Sequence, residues 1–233
     1  MPTRREFFTA AAGGAVLATA VQAHAKTDST PPPLAPGGHA VVPLPFAAAK
    51  LAGISEAMIV SHHDNNYVGA VKNLNKVEME LSKIDKDTPG YLVAALRERE
   101  LTYANSLILH EHYFGNLGGD GKLAGAIDKR IAASFGGAAR WEELFRATAM
   151  SLGGGSGWVV LALDFHTRDL RIHGTGAHNQ ALAFGAPLLV LDMFEHAYAI
   201  DYGAAHAKYI DAFMKNVKWE EVERRLARAD KLR

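Results

Sequence analysis

The run Leu188-Leu189-Val190-Leu191-Asp192-Met193-Phe194-Glu195-His196-Ala197-Tyr198 carries the strongest local signal in the chain. Its apolar opening reads as a short buried strand closed by Asp192. His196 follows four residues later. A strand ending at Asp192 and a turn opening at His196 can aim a carboxylate and an imidazole into one cavity. That donor pair suits a borderline ion such as iron or manganese. A surface Asp beside a buried His fits the pair about as well, so the rest of the chain has to decide.

Upstream the pattern is helical. Leu51, Ile54, Met58 and Ile59, then Val68, Val71 and Leu74, recur at helix-like spacings between Phe46 and about Leu81, and Ser55 can cap part of that stretch. Asp87-Thr88-Pro89-Gly90 is a turn, with Pro89 where a new helix can begin. Tyr91 to about Leu117 reads as a second long helix, packed against the first as an antiparallel hairpin. Each helix carries a histidine in apolar surroundings, His62 and His110. One such histidine is usually an ordinary core residue. Two of them, together with Asp192 and His196, point to a shared metal.

Further helices are expected over Leu123–Ile131, Ala138–Leu152, Tyr202–Asn216 and Trp219–Ala229. Strands are expected over Trp158–Leu163 and Leu170–His173 as well as Leu188–Asp192. Helices first, then a small antiparallel sheet covered by helices, is an α+β arrangement. It divides into a helical hairpin domain over 46–120 and an α+β domain over 121–233.

The 233 residues hold 11 histidines and no cysteine, so disulfides, thiol nucleophiles and thiolate metal sites are excluded. With 25 basic and 25 acidic residues the formal charge is zero, which gives no reason to expect nucleic acid or an anionic membrane as a partner. The N-terminus reads as an address. Arg4-Arg5-Glu6-Phe7-Phe8 resembles a twin-arginine signal, a mild apolar run spans Thr9–Val21, and Ala23-His24-Ala25 is a small-x-small cleavage signature. Residues 1–25 are therefore expected to be removed on export to the periplasm, leaving no membrane segment. Residues 26–45, rich in Pro and Gly, read as an extended tether.

Taken together, these motifs resemble the iron/manganese superoxide dismutases. Asp192 to Tyr198 matches the family's Asp-x-x-Glu-His-Ala-Tyr signature, and Tyr209-Ile210, Phe213 and Val217-Lys218-Trp219 match positions beyond it. Ser156-Gly157-Trp158 resembles the family's Gly-Ser-Gly-Trp. His62, before Asn73-Leu74-Asn75, and His110, before Tyr113-Phe114 and Asn116-Leu117, match the two ligand helices. The resemblance spans roughly 45–225. It implies one iron or manganese ion per subunit held by His62, His110, Asp192 and His196, with superoxide as the substrate. All four ligands suit either ion; we lean to iron. Trp158 and Phe194 fall in the apolar wall, Phe194 where the family has Trp. Glu195 matches a residue that bonds the ligand His of the other subunit, which implies a homodimer.

Three departures bear on function. Counting from His62, the family's second His and its gateway Tyr fall on Asn66 and Ala70. Tyr67 is one residue out of place and could serve only if the helix were locally re-registered. The second Tyr after the His-Ala-Tyr motif is Ala199, so both ends of a cross-subunit bond are changed together. The residue that bonds solvent at the metal, commonly Gln, falls on His178, with Gln180 the alternative; the other family location for it is Ser106. These changes leave room for a repurposed redox metalloprotein or a non-catalytic metal binder on the same scaffold. His63, His112, His166, His173 and His206 receive no role.

Overall fold

The computed structural model describes residues 33–180 and 183–232. The expected signal peptide and the first part of the tether lie outside them. From Leu34 onward the chain forms one compact unit. A single apolar core runs from Ala48 to Ala229 through both the hairpin and the sheet. The boundary near residue 120 therefore separates segments of chain, not two cores.

The first long helix begins at α1 (Glu56–Ser61), where Ser55 Oγ accepts the Met58 N–H at 3.1 Å. It does not continue with uniform pitch. His62–Tyr67 is a π turn, in which the Val68 N–H reaches back to the His63 carbonyl, and α2 (Val68–Leu81) resumes the ordinary repeat. α3 (Gly90–Gly115) starts after Pro89, as expected, and packs along α2. α4 (Ala126–Phe135) starts three residues later than the expected helix, after Gly125 with its φ of +85°. α5 (Ala138–Ser151) leads into the sheet.

β1 (Trp158–Asp164), β2 (Leu170–Thr175) and β3 (Gly185–Asp192) form an antiparallel sheet in the order β2-β1-β3. Every residue of the central strand is buried, as its uninterrupted apolar run requires. The register pairs Trp158 with Asp192, so the Gly-Trp at the start of β1 lies beside the end of β3. A 3₁₀ turn (Glu195–Ala197) follows. The helix expected over Tyr202–Asn216 is α7 (His206–Lys215), which starts four residues later, and a separate short helix, α6 (Ala199–Tyr202), precedes it. Gly203, at φ +51°, breaks the run. α8 (Trp219–Ala229) closes the chain.

Two buried asparagines join distant elements. Asn116, at the end of α3, accepts the Val190 N–H on Oδ1 at 2.9 Å, which fixes the hairpin against β3 two residues before Asp192. Asn216 accepts the Ala52 N–H and donates to the Ala52 carbonyl, both at 2.9 Å. Both side chains are at least 97% buried, where an unmet hydrogen bond costs about 1–3 kcal/mol. No described helix is long and apolar enough to cross a membrane.

Candidate metal centre

Four elements bring their side chains to one point. His62 comes from the junction of α1 and the π turn, His110 from α3, Asp192 from the last position of β3, and His196 from the 3₁₀ turn. One donor atom from each lies within 4.8 Å of the others. Asp192 Oδ2 is central: it sits 3.1 Å from His62 Nε2, 3.2 Å from His196 Nε2 and 3.7 Å from His110 Nε2. Metal–ligand bonds of about 2.1 Å, meeting at angles between square and trigonal, put neighbouring donor atoms about 3.0–3.6 Å apart. The His62 and His196 spacings to Oδ2 fall in that range, and the His110 spacing lies just outside it.

The hydrogen bonding points the same way. Asp192 Oδ1 is occupied, accepting the Phe194 N–H at 2.8 Å, which leaves Oδ2 for the centre. The Asp192 carbonyl accepts from the Tyr209 hydroxyl at 2.9 Å, so the strand end is held in place. His110 Nδ1 lies 2.6 Å from the Ser106 carbonyl. A carbonyl only accepts, so Nδ1 carries the proton and Nε2 presents its lone pair to the centre. His110 Nε2 and both ring nitrogens of His62 are buried with no aligned hydrogen-bond partner among the described residues. Buried polar atoms without partners are costly, and a cation at this point would take up the lone pairs turned toward it. The donor set of three imidazoles and one carboxylate suits iron or manganese.

Electrostatics keep the donors in ligating form. Burial would raise the Asp192 carboxyl, but the His196 hydrogen bond and the attraction of His196 and His62 outweigh it and hold the group below the ordinary carboxylate range. Burial lowers His62. It brings His110 down to about 3, with the neighbouring His62 ring adding to the effect. A protonated nitrogen cannot ligate, so depressed histidines favour metal over protons.

A family profile for iron/manganese superoxide dismutases, C-terminal domain, matches residues 123–225. The chain is 46% identical over 190 residues to a superoxide dismutase (Fe) of Cupriavidus metallidurans, across 80% of this chain and 95% of that protein. The chain belongs to the iron/manganese superoxide dismutase family. It is also 35% identical over 192 residues to a superoxide dismutase (Fe) of Aquifex pyrophilus, covering 78% of this chain and 88% of that one. A superoxide dismutase (Mn) of Halobacterium salinarum is 34% identical over 193 residues, covering 80% and 94%.

Aromatic side chains wall this dismutase-family centre. Trp158 stands edge-on to His110 with ring centroids 5.0 Å apart, and Tyr113 and Phe114 each lie 5.0 Å from His62. His178 stacks on Phe194 at 4.4 Å and 10°, with its ring centroid 6.2 Å from that of His110. The Trp158 Nε1–H donates to His178 Nδ1 at 2.9 Å. Indole N–H only donates, so neutral His178 carries its proton on Nε2. Burial lowers His178, which favours that neutral form. Gln180 is spent locally, accepting the Gly176 N–H at 2.7 Å. Ser106 contributes its carbonyl to His110, and its hydroxyl lies 3.3 Å from Nδ1 of the same ring.

The changed gateway positions fall in different surroundings. Asn66 is half-buried, Ala70 is 5% exposed within the helical packing, and Ala199 is exposed. Glu195 is exposed on this subunit. His196 is 25% exposed, the one ligand candidate not sealed by its own chain. Tyr67 is re-registered: a π turn adds one residue to the turn, so Tyr67 takes up the buried face that continues from His62. Its hydroxyl donates to Glu111 Oε1 at 2.8 Å and accepts the Val42 N–H at 2.9 Å. His63, to which the sequence assigned no role, is 8% exposed and its Nε2 donates to the Val42 carbonyl at 3.0 Å. The sequence carried no cue to this role, since consecutive buried residues also occur in the regular helices, as at Met58-Ile59 and Tyr113-Phe114.

Proposed function

We propose that the protein is a superoxide dismutase acting at a single iron or manganese ion held by His62, His110, Asp192 and His196. The observation that carries the reading is the convergence of those four donors around Asp192 Oδ2, with buried nitrogens that lack protein partners. The ion supplies a one-electron redox couple, through which two superoxide anions and two protons yield dioxygen and hydrogen peroxide. The protein's own part is to hold the donors, exclude bulk water and manage protons. His178 presents an Nε2–H donor in the wall, oriented by Trp158, at the place where the family resemblance leads one to expect a Gln. With Asn66 and Ala70 at the gateway positions, no tyrosine or histidine hydroxyl or ring stands there, and water carries more of the proton supply.

The same reading extends to assembly and location. A homodimer is supported by Glu195, which is exposed on its own subunit, and by the part-exposed His196 that a partner's Glu195 would cover. Ile200, 57% exposed next to Ala199, adds apolar surface to that face. Export rests on the Arg4-Arg5 signal and the Ala23-His24-Ala25 site. Light scattering on the purified protein and the mature N-terminus found in periplasmic extracts check these two points.

The decisive experiment is superoxide consumption per bound metal atom on protein loaded separately with iron and with manganese. Rate constants approaching the diffusional ceiling of about 10⁸–10⁹ M⁻¹s⁻¹ are expected for the working metal. Full occupancy by both ions with no consumption would overturn the activity.

A further inference from the structure

The segment ahead of the first helix is not a loose tether where it is described. Residues 37–42 form a strap laid on the helical hairpin. The Gly37 N–H donates to Glu78 Oε2 at 2.8 Å, and the His39 N–H donates to Asn75 Oδ1 at 2.9 Å. Asn75 Nδ2 returns a bond to the His39 carbonyl at 2.9 Å, and His39 Nε2 lies 2.8 Å from Glu78 Oε1. Gly37 adopts φ +76°, and a Cβ there would press to 2.9 Å from Met79 Cγ, so the strap follows the helix closely.

The far end of the strap is held by its backbone. Val42 exposes 51% of its surface, so its side chain is not the anchor. Its backbone N–H and carbonyl are both taken instead. Its N–H is accepted by the Tyr67 hydroxyl, and its carbonyl accepts from His63 Nε2. The Tyr67 hydroxyl in turn donates to Glu111. His63 is the chain neighbour of His62, and Glu111 is the chain neighbour of His110. The backbone of one strap residue is thus linked, through two side chains, to the residues flanking two of the four donors. The π turn makes this possible. Adjacent helical residues point about 100° apart, so His62 faces the centre while His63 faces the strap, and the extra residue of the turn brings Tyr67 to the α3 side. The Tyr67 ring, 1% exposed, fills the space between them, with centroids 5.2 Å from His63 and 6.3 Å from His110.

We propose that His63 and Tyr67 are positioning residues for the metal centre, which latch the π turn and α3 to the Val42 backbone and so set the separation of His62 and His110. The inference rests on the metal reading above. An isolated α3 and a π turn could slide relative to one another, since π geometry is a local departure from the preferred helix. The latch removes that freedom at the two points nearest the ligands. Partners behind a ligand commonly govern metal affinity by about 10–100-fold.

The test uses full-length protein loaded with iron or manganese. Tyr67→Phe removes the hydroxyl and keeps the ring. His63→Ala removes the donor to Val42, while His63→Gln keeps an N–H that can reach the same carbonyl. Val42→Ala changes only an exposed side chain. Metal release to a chelator should speed by about tenfold or more in Tyr67→Phe and His63→Ala. The visible absorption of the bound metal should shift, and amide exchange at Val42 and Val68 should quicken. His63→Gln should recover most of the wild-type behaviour, and Val42→Ala should match it. Wild-type release rates and unchanged spectra in both Tyr67→Phe and His63→Ala would overturn the latch while leaving the metal site standing. A wild-type protein that takes up neither ion would overturn both readings.

Discussion

Replacing Asp192 with Asn tests the geometry of the centre most directly, because it should move two stabilities in different ways. The side chain is fully buried, with Oδ1 on the Phe194 N–H and Oδ2 amid three imidazole nitrogens at 3.1–3.7 Å. An amide has nearly the same shape. Its oxygen can keep the Phe194 bond, and its N–H groups can donate to imidazole lone pairs. It cannot supply the negative donor. Metal binding stabilises a fold by RT ln(1 + [L]/Kd), about 4 kcal/mol at a thousandfold excess over Kd. In a chain of this size that raises Tm by about 8–16 °C. The wild-type protein should show a rise of that order when iron or manganese is added, and Asp192→Asn should show almost none. The metal-free variant should melt lower than the metal-free wild type, because the depressed carboxyl means that the folded protein favours the charged form, and that stabilisation is lost with the charge. Calorimetry with and without metal, alongside metal content by mass spectrometry, reads both effects. A metal-dependent rise in the variant equal to that of the wild type would refute the assignment of Oδ2 as a ligand.

Three further outcomes follow from the same geometry. Ala70→Tyr should not restore a gateway, because Ala70 is 5% exposed within packed helices; overpacking should cost about 1–3 kcal/mol, read by thermal melting, with no gain in turnover. His178→Gln should keep most activity, since its amide can accept from Trp158 and donate toward the centre, whereas His178→Ala should lower turnover by about 10²-fold and leave the buried Trp158 N–H unpaired. The metal-free protein should lose stability in acid. His110 is held at about 3 and His62 is also lowered, so below the ordinary histidine value of about 6.5 the unfolded chain binds protons that the folded chain refuses. The loss begins near that value and grows down to about 3; urea titrations across this range should show it.

Much of the fold was legible because burial leaves a periodic trace. β1 and β3 appear as unbroken apolar runs, and α8 falls on the expected residues Trp219–Ala229. Helix ends shifted where glycines set the backbone, at Gly125 before α4 and at Gly203 between α6 and α7. The π turn left no such trace. Its polar run His62-His63-Asp64-Asn65-Asn66-Tyr67 has no apolar rhythm from which a changed pitch could be read, so Tyr67 looked misplaced. The strap was missed for a related reason. Its anchors are backbone groups of Gly37, His39 and Val42, and sequence says nothing about which N–H or carbonyl a distant side chain will meet.

By itself the sequence determined the chemistry available. Without cysteine, any metal must be held by imidazole, carboxylate or backbone oxygen, and the Asp192–His196 spacing with two histidines on apolar helices named four donors. Only the tertiary structure decided that these donors meet. Residues 62, 110 and 192 are far apart along the chain, and their convergence depends on the Asn116 bond to β3, the pairing of Trp158 with Asp192, and the extra residue of the π turn. Local preference fixes which groups a segment carries; their mutual distance is set by packing across elements, which no short window of sequence contains.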